Sequence, residues 1–265
     1  MNVSNLHYVI FIFFLILDMI EQSGRNLNKG ISADCVIFGF DFEKIQVLLI
    51  ERNPVHSQKP EYALPGDLIY DDENLDHAAG RVLKELTGLT DIFLEQLGAF
   101  GDPNRLDKDA DQKWLKTVRS NPDVRVITVA YFALVNLRSF NPRPSHFARN
   151  VVWKPLNEIR ELAFDHLEIL NSAKKRLKTN LDLRPIGFNL LPEKFTLTQL
   201  HKLYEAIQGK EIDKRNFRRK MAKLKIVERL NDKQRGVPHK PSNYYCFNLE
   251  NYNKLVEEGF NNFGF

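Results

Sequence analysis

One stretch constrains this chain more than any other: Leu64 to Leu89, with the sequence LPGDLIYDDENLDHAAGRVLKELTGL. It opens as an acidic loop and becomes a helix from Asn74 to Thr87. Leu75, Ala78, Ala79, Val82 and Leu86 recur at helical spacing and give that helix one apolar face. Gly88 follows the last turn, where a left-handed residue stops a helix. Val82, Glu85 and Leu86 project to one side, so a single carboxylate stands there flanked by aliphatic side chains.

The surrounding segments supply a sheet. Ser32 to Phe40 and Gln46 to Ile50 read as buried strands joined by a polar turn at Asp41 to Lys44. Short strands follow at Tyr62 to Pro65, Ile92 to Phe100 and Val151 to Trp153. Val124 to Val135 is a longer strand, and a helix runs from Asp165 to about Leu181. His166 sits at that helix's start and reads as structural. Asp102 to Val124 is polar and mixed in charge. It reads as a solvated insertion with a short helix in DADQKWLKTV, in preference to a functional lid. Strands with a few helices and no regular alternation define an α+β domain.

The totals exclude several classes. The chain has 265 residues, 27% charged and 43% hydrophobic, which is ordinary for a globular protein. Its two cysteines, Cys35 and Cys246, lie in no metal-ligand spacing, which fits reduced thiols in the cytoplasm and not a disulfide framework. Tyr8 to Leu17 is wholly apolar but shorter than the roughly 20 residues a spanning helix needs. No Lys or Arg precedes it and no small-residue cleavage site follows. A membrane anchor, a poor signal peptide and an over-extended start all remain open; the polar stretch from Met19 favours the last. The expected division is an extension over 1–30, a mixed-sheet domain over 31–182 and a helical, basic domain over 183–265.

That last region has its own pattern. Thr196 to Gln208 is amphipathic, with Leu200, Leu203, Tyr204 and Ile207 on one side, and Gly209 breaks it. Asp213 caps a second helix, Lys214 to Leu224, whose buried face is Phe217, Met221 and Leu224. Strand-like runs at Ile226 to Arg229 and Tyr244 to Asn248 flank a polar turn. Two helices and a hairpin describe a winged helix-turn-helix. From Gly209 to Lys240 there are twelve Lys and Arg against four Asp and Glu, a net +8 where the whole chain is +4. Lys214, Arg215, Arg218, Arg219 and Lys223 on the second helix, with Lys233 and Arg235 in the wing, are the expected DNA-binding residues.

Leu64 to Leu89 resembles a Nudix box, G-x5-E-x7-R-E-U-x-E-E-x-G-U with U aliphatic. Glu73, Arg81, Glu85 and Gly88 stand in register. Asp67 replaces the first glycine, and Val82 and Leu86 replace two glutamates. Nudix enzymes cleave nucleoside diphosphate derivatives, using box glutamates to hold Mg²⁺. The losses here imply a catalytically degenerate site without a metal; Mg²⁺ enters only under the alternative reading, a Mg²⁺-dependent Nudix hydrolase, for which Asp67, Asp71 or Asp72 would have to compensate.

The resemblance extends through EQLGAFGDPNR, RVITVAYFALV, WKPLNEIRELAFDH and FTLTQLHKLYEAIQGKEIDKRNFRRKM to the Nudix-related transcriptional regulator family. It implies a Nudix-like mixed-sheet α/β/α sandwich that binds a small-molecule effector, and a C-terminal winged helix that binds operator DNA as a homodimer. Half-sites would then lie about one or more helical turns, roughly 34–36 Å, apart. The resemblance implies ADP-ribose or a sugar as effector; loss of acidic groups leans towards a neutral sugar, with Glu73, Arg81 and Glu85 as ligand-binding residues. Arg81 reads equally well as a salt-bridge partner that pins the helix. The insertion from Leu106 to Asp123 exceeds the loop expected for the family. A protein-interaction module without a DNA role is the remaining rival.

Overall fold

The computed structural model describes residues 25–52, 60–137, 150–183, 186–238 and 240–260. The apolar run from Tyr8 to Leu17 lies outside the described residues. Among the described residues no helix is long and apolar enough to cross a membrane.

A seven-stranded mixed sheet organises the first part of the chain. It comprises β1 (Leu27–Phe40), β2 (Ile45–Arg52), β3 (Glu61–Ala63), β4 (Gly66–Tyr70), β5 (Glu95–Phe100), β6 (Ile127–Val135) and β7 (Asn150–Pro155). The main order is β3-β2-β1-β6-β5, with β4 added to β1 and β7 to β2. β1 and β6 run parallel, from Ile31 opposite Ile127 to Gly39 opposite Val135; the other pairs are antiparallel. Ser32 to Phe40 is buried without interruption. A strand covered on both faces loses the in–out alternation, which is why Cys35 to Phe40 is continuously apolar, with Ser32 and Asp34 as buried polar residues before it.

The two faces carry different helices. On one, Ala33, Cys35 and Ile37 pack against Ala78, Ala79 and Leu83 of α1 (Leu75–Thr87). On the other, Val36, Phe38 and Phe40 share a core with Leu170, Ala173 and Leu177 of α3 (His166–Leu183). The insertion carries α2 (Asp109–Val118). Asn74 caps α1 by accepting from the His77 amide at 2.8 Å, and Gly88 ends it at φ 72°.

The C-terminal part contains α4 (Leu197–Gln208), α5 (Lys214–Leu224), a hairpin of β8 (Val227–Lys233) and β9 (Asn243–Phe247), and α6 (Leu249–Glu257). Thr196 and Gln199 form a reciprocal capping box at the start of α4, and Gly209 ends it in the left-handed region. Asp213 caps α5 through the Asn216 amide at 2.7 Å. The same apolar core that contains Phe38 and Leu177 continues through Leu200 and Tyr204 to Phe217 and Met221. Lys178 of α3 also donates to the Gln208 carbonyl at 2.8 Å.

Three expectations change. β1 begins at Leu27, inside the expected extension, because Leu27 pairs with Tyr70 and Arg25 is held by Asp72. β4 occupies part of the expected loop: Gly66 and Asp67 obscure a strand that hydrogen-bonds β1. α6 adds a helix beyond the expected hairpin. It is capped by Asn248, anchored where Asn251 donates to the Leu224 carbonyl at 2.7 Å, and covered by Tyr252 against Phe247.

Candidate functional site

The box residues hold one another. Arg81 grips both carboxylate oxygens of Glu73, at 2.6–3.1 Å, pairs with Glu85 at 2.7 Å and donates to the Leu68 carbonyl at 3.0 Å. Glu73 also accepts from the Tyr70 amide at 2.8 Å, and the Tyr70 ring lies 4.0 Å from the Arg25 guanidinium carbon and 4.4 Å from that of Arg81. Burial pushes the Glu73 carboxyl upward, but Arg81 and the Tyr70 amide outweigh it and hold the group below its ordinary range. Arg81 thus stitches α1 to β4 and to the loop between them.

A divalent cation does not fit this helix. Val82 and Leu86 stand where carboxylates would be, packed with Ile50, Ala63 and Ala163. Glu85 is committed to Arg81. Among the described residues, no three His, Cys, Asp or Glu side chains converge as ligands. Of the three compensating candidates, Asp71 accepts from Asn28 and Asp72 is paired with Arg25, while Asp67 faces elsewhere.

Asp67 lines a cavity of about 270 Å³ beside β4. The apolar part of the lining includes Ile50, Leu64, Leu86, Trp114 and Phe164; the polar part includes Asp34, Arg52, Asp67, Arg105, Arg119 and His166. Glu73, Arg81 and Glu85 are not among the lining residues. Their polar atoms satisfy one another, which is the helix-pinning arrangement.

Two buried networks shape the cavity. Arg105 is bidentate to Asp165 at 2.8 Å and reaches Asp34 at 3.4 Å. His166 accepts the Leu64 amide proton at Nδ1, 2.9 Å, so its neutral form carries the proton on Nε2, 3.6 Å from Asp34. Burial drives the His166 pKa down against the pull of Asp34. The structural role expected of His166 is what this geometry gives it.

Arg52 forms the second network. One terminal nitrogen, Nη2, donates to Glu61 and Asp111, each at 2.8 Å, while Nε and Nη1 have no hydrogen-bond partner. The guanidinium lies 4.8 Å from the Trp114 ring and 5.0 Å from Phe164. Phe164 adopts φ 54°, a region L residues rarely occupy. Its amide donates to Asp111 at 2.7 Å, and its ring meets Trp114 and His166 edge-on.

The insertion is therefore not a solvated excursion. Asp111 and Leu115 are buried, and Trp114, Val118, Arg119, Ser120 and Asn121 line the cavity. Its mixed charge concealed this, because Asp111 faces inward to a partner 59 residues away in sequence. Arg52, Arg105 and Arg119 carried no local motif; only Asp111 in the apolar register of α2 hinted at a buried counter-charge.

In the C-terminal part, Lys214, Arg215, Arg218, Arg219, Lys223, Lys233 and Arg235 are all exposed. The opposite side of α5 is sealed by Phe217, Met221 and Leu224. Arg219 donates to Asn216 at 2.9 Å, and Arg229 to Asn243 at 3.1 Å across the hairpin. α5 presents a cationic face beside a two-stranded wing, the arrangement in which a helix enters a groove and a hairpin meets phosphates.

Comparison with known proteins agrees with both halves. The NUDIX domain model matches residues 28–173, and the model of the NrtR DNA-binding winged helix domain matches 187–247. The ADPR responsive transcriptional repressor NtrR of Acinetobacter baylyi is 32% identical over 225 residues, 83% of each chain. The chain belongs to the Nudix-related transcriptional regulator family. Shewanella oneidensis NrtR, crystallised with a 27mer DNA, superposes with TM-score 0.60 at 28% identity, over 84% of this chain and 95% of that one. A MutT/nudix family protein from Enterococcus faecalis, 22% identical, shares the fold with TM-score 0.61 over 94% of each. As a Nudix-related regulator, the chain combines a degenerate Nudix box with a DNA-binding winged helix.

Proposed function

We propose that this regulator senses an ADP-ribose-like nucleoside diphosphate sugar in the cavity between β4, α2 and the start of α3, and binds operator DNA through α5 and the β8–β9 wing as a homodimer in the cytoplasm. The observation that carries the reading is the pairing, on one chain, of a Nudix box that has lost two of its glutamates and a helix with an exposed cationic face. The A. baylyi relative, named for its response to ADPR, supports the effector class. The expectation of a neutral sugar rests on α1 alone. The cavity lining adds Arg119, which has no ion pair among the described residues, and the spare donors of Arg52, which favours an anionic ligand.

Occupancy and DNA binding are joined through α3. Its first residue lines the cavity, and its later turns pack on α4. A ligand that prefers one placement of this helix shifts the population of dimer geometries by its difference in affinity for the two.

The test is a gel shift with the full chain and DNA from upstream of its own coding region. The expected result is retention of that fragment over equal-length unrelated DNA, altered by ADP-ribose, with no AMP released in Mg²⁺. Equal retention of both fragments at physiological salt, or turnover of ADP-ribose, overturns the proposal.

A further inference from the structure

Nudix enzymes handle a diphosphate through carboxylate-bound Mg²⁺, and of the box glutamates on α1 only Glu85 remains, committed to Arg81. An effector with a diphosphate still has to have its charge met once it leaves water, because an uncompensated buried anion costs several kcal/mol or more. The cavity offers an answer from residues outside the box.

Arg119 lies just beyond α2, at the inner edge of the insertion, and lines the cavity. Among the described residues it has neither an ion pair within 4.0 Å nor a side-chain hydrogen bond. Arg105, in contrast, is saturated by Asp34 and Asp165. Arg52 is neutralised by Glu61 and Asp111, yet keeps two donors, Nε and Nη1, buried and unmatched. A native buried donor with no acceptor is uncommon and calls for a partner. The cavity therefore holds one half-buried cation without a matched anion, Arg119, beside an exposed Lys29, and one buried fork with spare donors. Guanidinium groups suit phosphate oxygens because their N–H groups can bind two at once.

We propose that Arg119, assisted by the free donors of Arg52, binds the effector's diphosphate directly, so that this regulator recognises its ligand without a metal ion. This rests on the reading of the cavity as the effector site. Loss of solvent around Arg119 lowers its pKa despite Asp67 and Asp34 nearby, in keeping with a guanidinium whose water has been removed but not replaced. Asp67 is the acidic wall residue that opposes an anion. Burial raises its carboxyl's pKa, which eases protonation as an anion approaches. The insertion then has a purpose: it delivers a cation to the cavity beside a box that has lost two glutamates.

Calorimetric titration of the full chain with ADP-ribose, and separately with inorganic pyrophosphate, in EDTA and in Mg²⁺, tests this. Wild type should bind ADP-ribose with about the same Kd in both buffers. Arg119→Ala should weaken binding in EDTA by about tenfold to a hundredfold, the usual loss for a hydrogen bond to a charged group. Arg119→Lys, which keeps charge but not the fork, should fall between. Ligand-free melting of each variant should match wild type. Binding that requires Mg²⁺, or Arg119→Ala within twofold of wild type, overturns the inference. If Arg119→Ala does not fold, an Arg119→Lys Kd equal to wild type overturns it. Should wild type bind no ADP-ribose in either buffer, the effector reading fails. Pyrophosphate then decides the inference: binding in EDTA that depends on Arg119 supports it, and none overturns it.

Discussion

The carboxylate of Asp34 lies so close to Gly66 that a methyl group on the glycine would fall 1.7 Å from Oδ1. Asp34 cannot swing away cheaply, because Arg105 and His166 face it from the other side. Gly66→Ala is expected to push the carboxylate out of this network. The cost is about 2 kcal/mol, typical of overpacking, and ligand affinity should fall with it. Urea unfolding and ligand titration report the two effects; a variant with both unchanged would show that Asp34 has room that the geometry does not give it.

Arg81 and Glu73 form a largely buried pair. Breaking such a pair from one side costs about 3 kcal/mol, so Arg81→Ala should lower the urea midpoint sharply. Glu73 is held below its ordinary value of 4.5 when folded. Its contribution is thus whole above pH 4.5 and is lost as pH falls through the lower, folded value. In Glu73→Gln that part of the acid loss should vanish. An unchanged stability–pH curve between wild type and this variant refutes the assignment.

Restoring the box residues should not restore a hydrolase. Val82 and Leu86 are embedded among Ile50, Ala63 and Ala163. Val82→Glu with Leu86→Glu places two acids against that apolar surface and is expected to destabilise the chain by about 3 kcal/mol or more. Mg²⁺-dependent release of AMP from ADP-ribose by the double variant is the outcome that sinks this expectation.

On α5, Arg215 and Arg219 are exposed, and Arg219 is oriented by Asn216. Replacing both by Ala should weaken operator binding while leaving melting unchanged. The slope of log affinity against log salt should drop by about 0.9 for each phosphate that is no longer neutralised. A slope equal to wild type would place the DNA interface away from this helix.

Periodicity made the winged helix legible. Leu200, Leu203, Tyr204 and Ile207, then Phe217, Met221 and Leu224, are spaced for burial and are buried. The caps at Asp213 and Gly88 were equally plain, since each depends on neighbours within four residues. The cavity was hidden for the opposite reason. Arg52, Asp111 and Arg105 meet Glu61, Phe164 and Asp165 across long stretches of chain, and only Glu61 is near its partner in sequence. A buried charge reads as a surface charge until its counter-ion is found. α6 carries a weak pattern, because its apolar side chains are few: Leu249 and Val256 are exposed, and Tyr252 and Leu255 are half-buried.

The apolar core that runs unbroken from Phe38 through Leu177 to Phe217 has a consequence for how such regulators diversify. A reading head fastened by an exposed linker can be traded between proteins. One that shares its interior with the sensing sheet cannot, since either half alone would present a raw hydrophobic face. New operator preferences then arise by exchange of side chains on the outer surface of α5, while its inner surface stays fitted to α4, where Phe217 meets His201 and Tyr204.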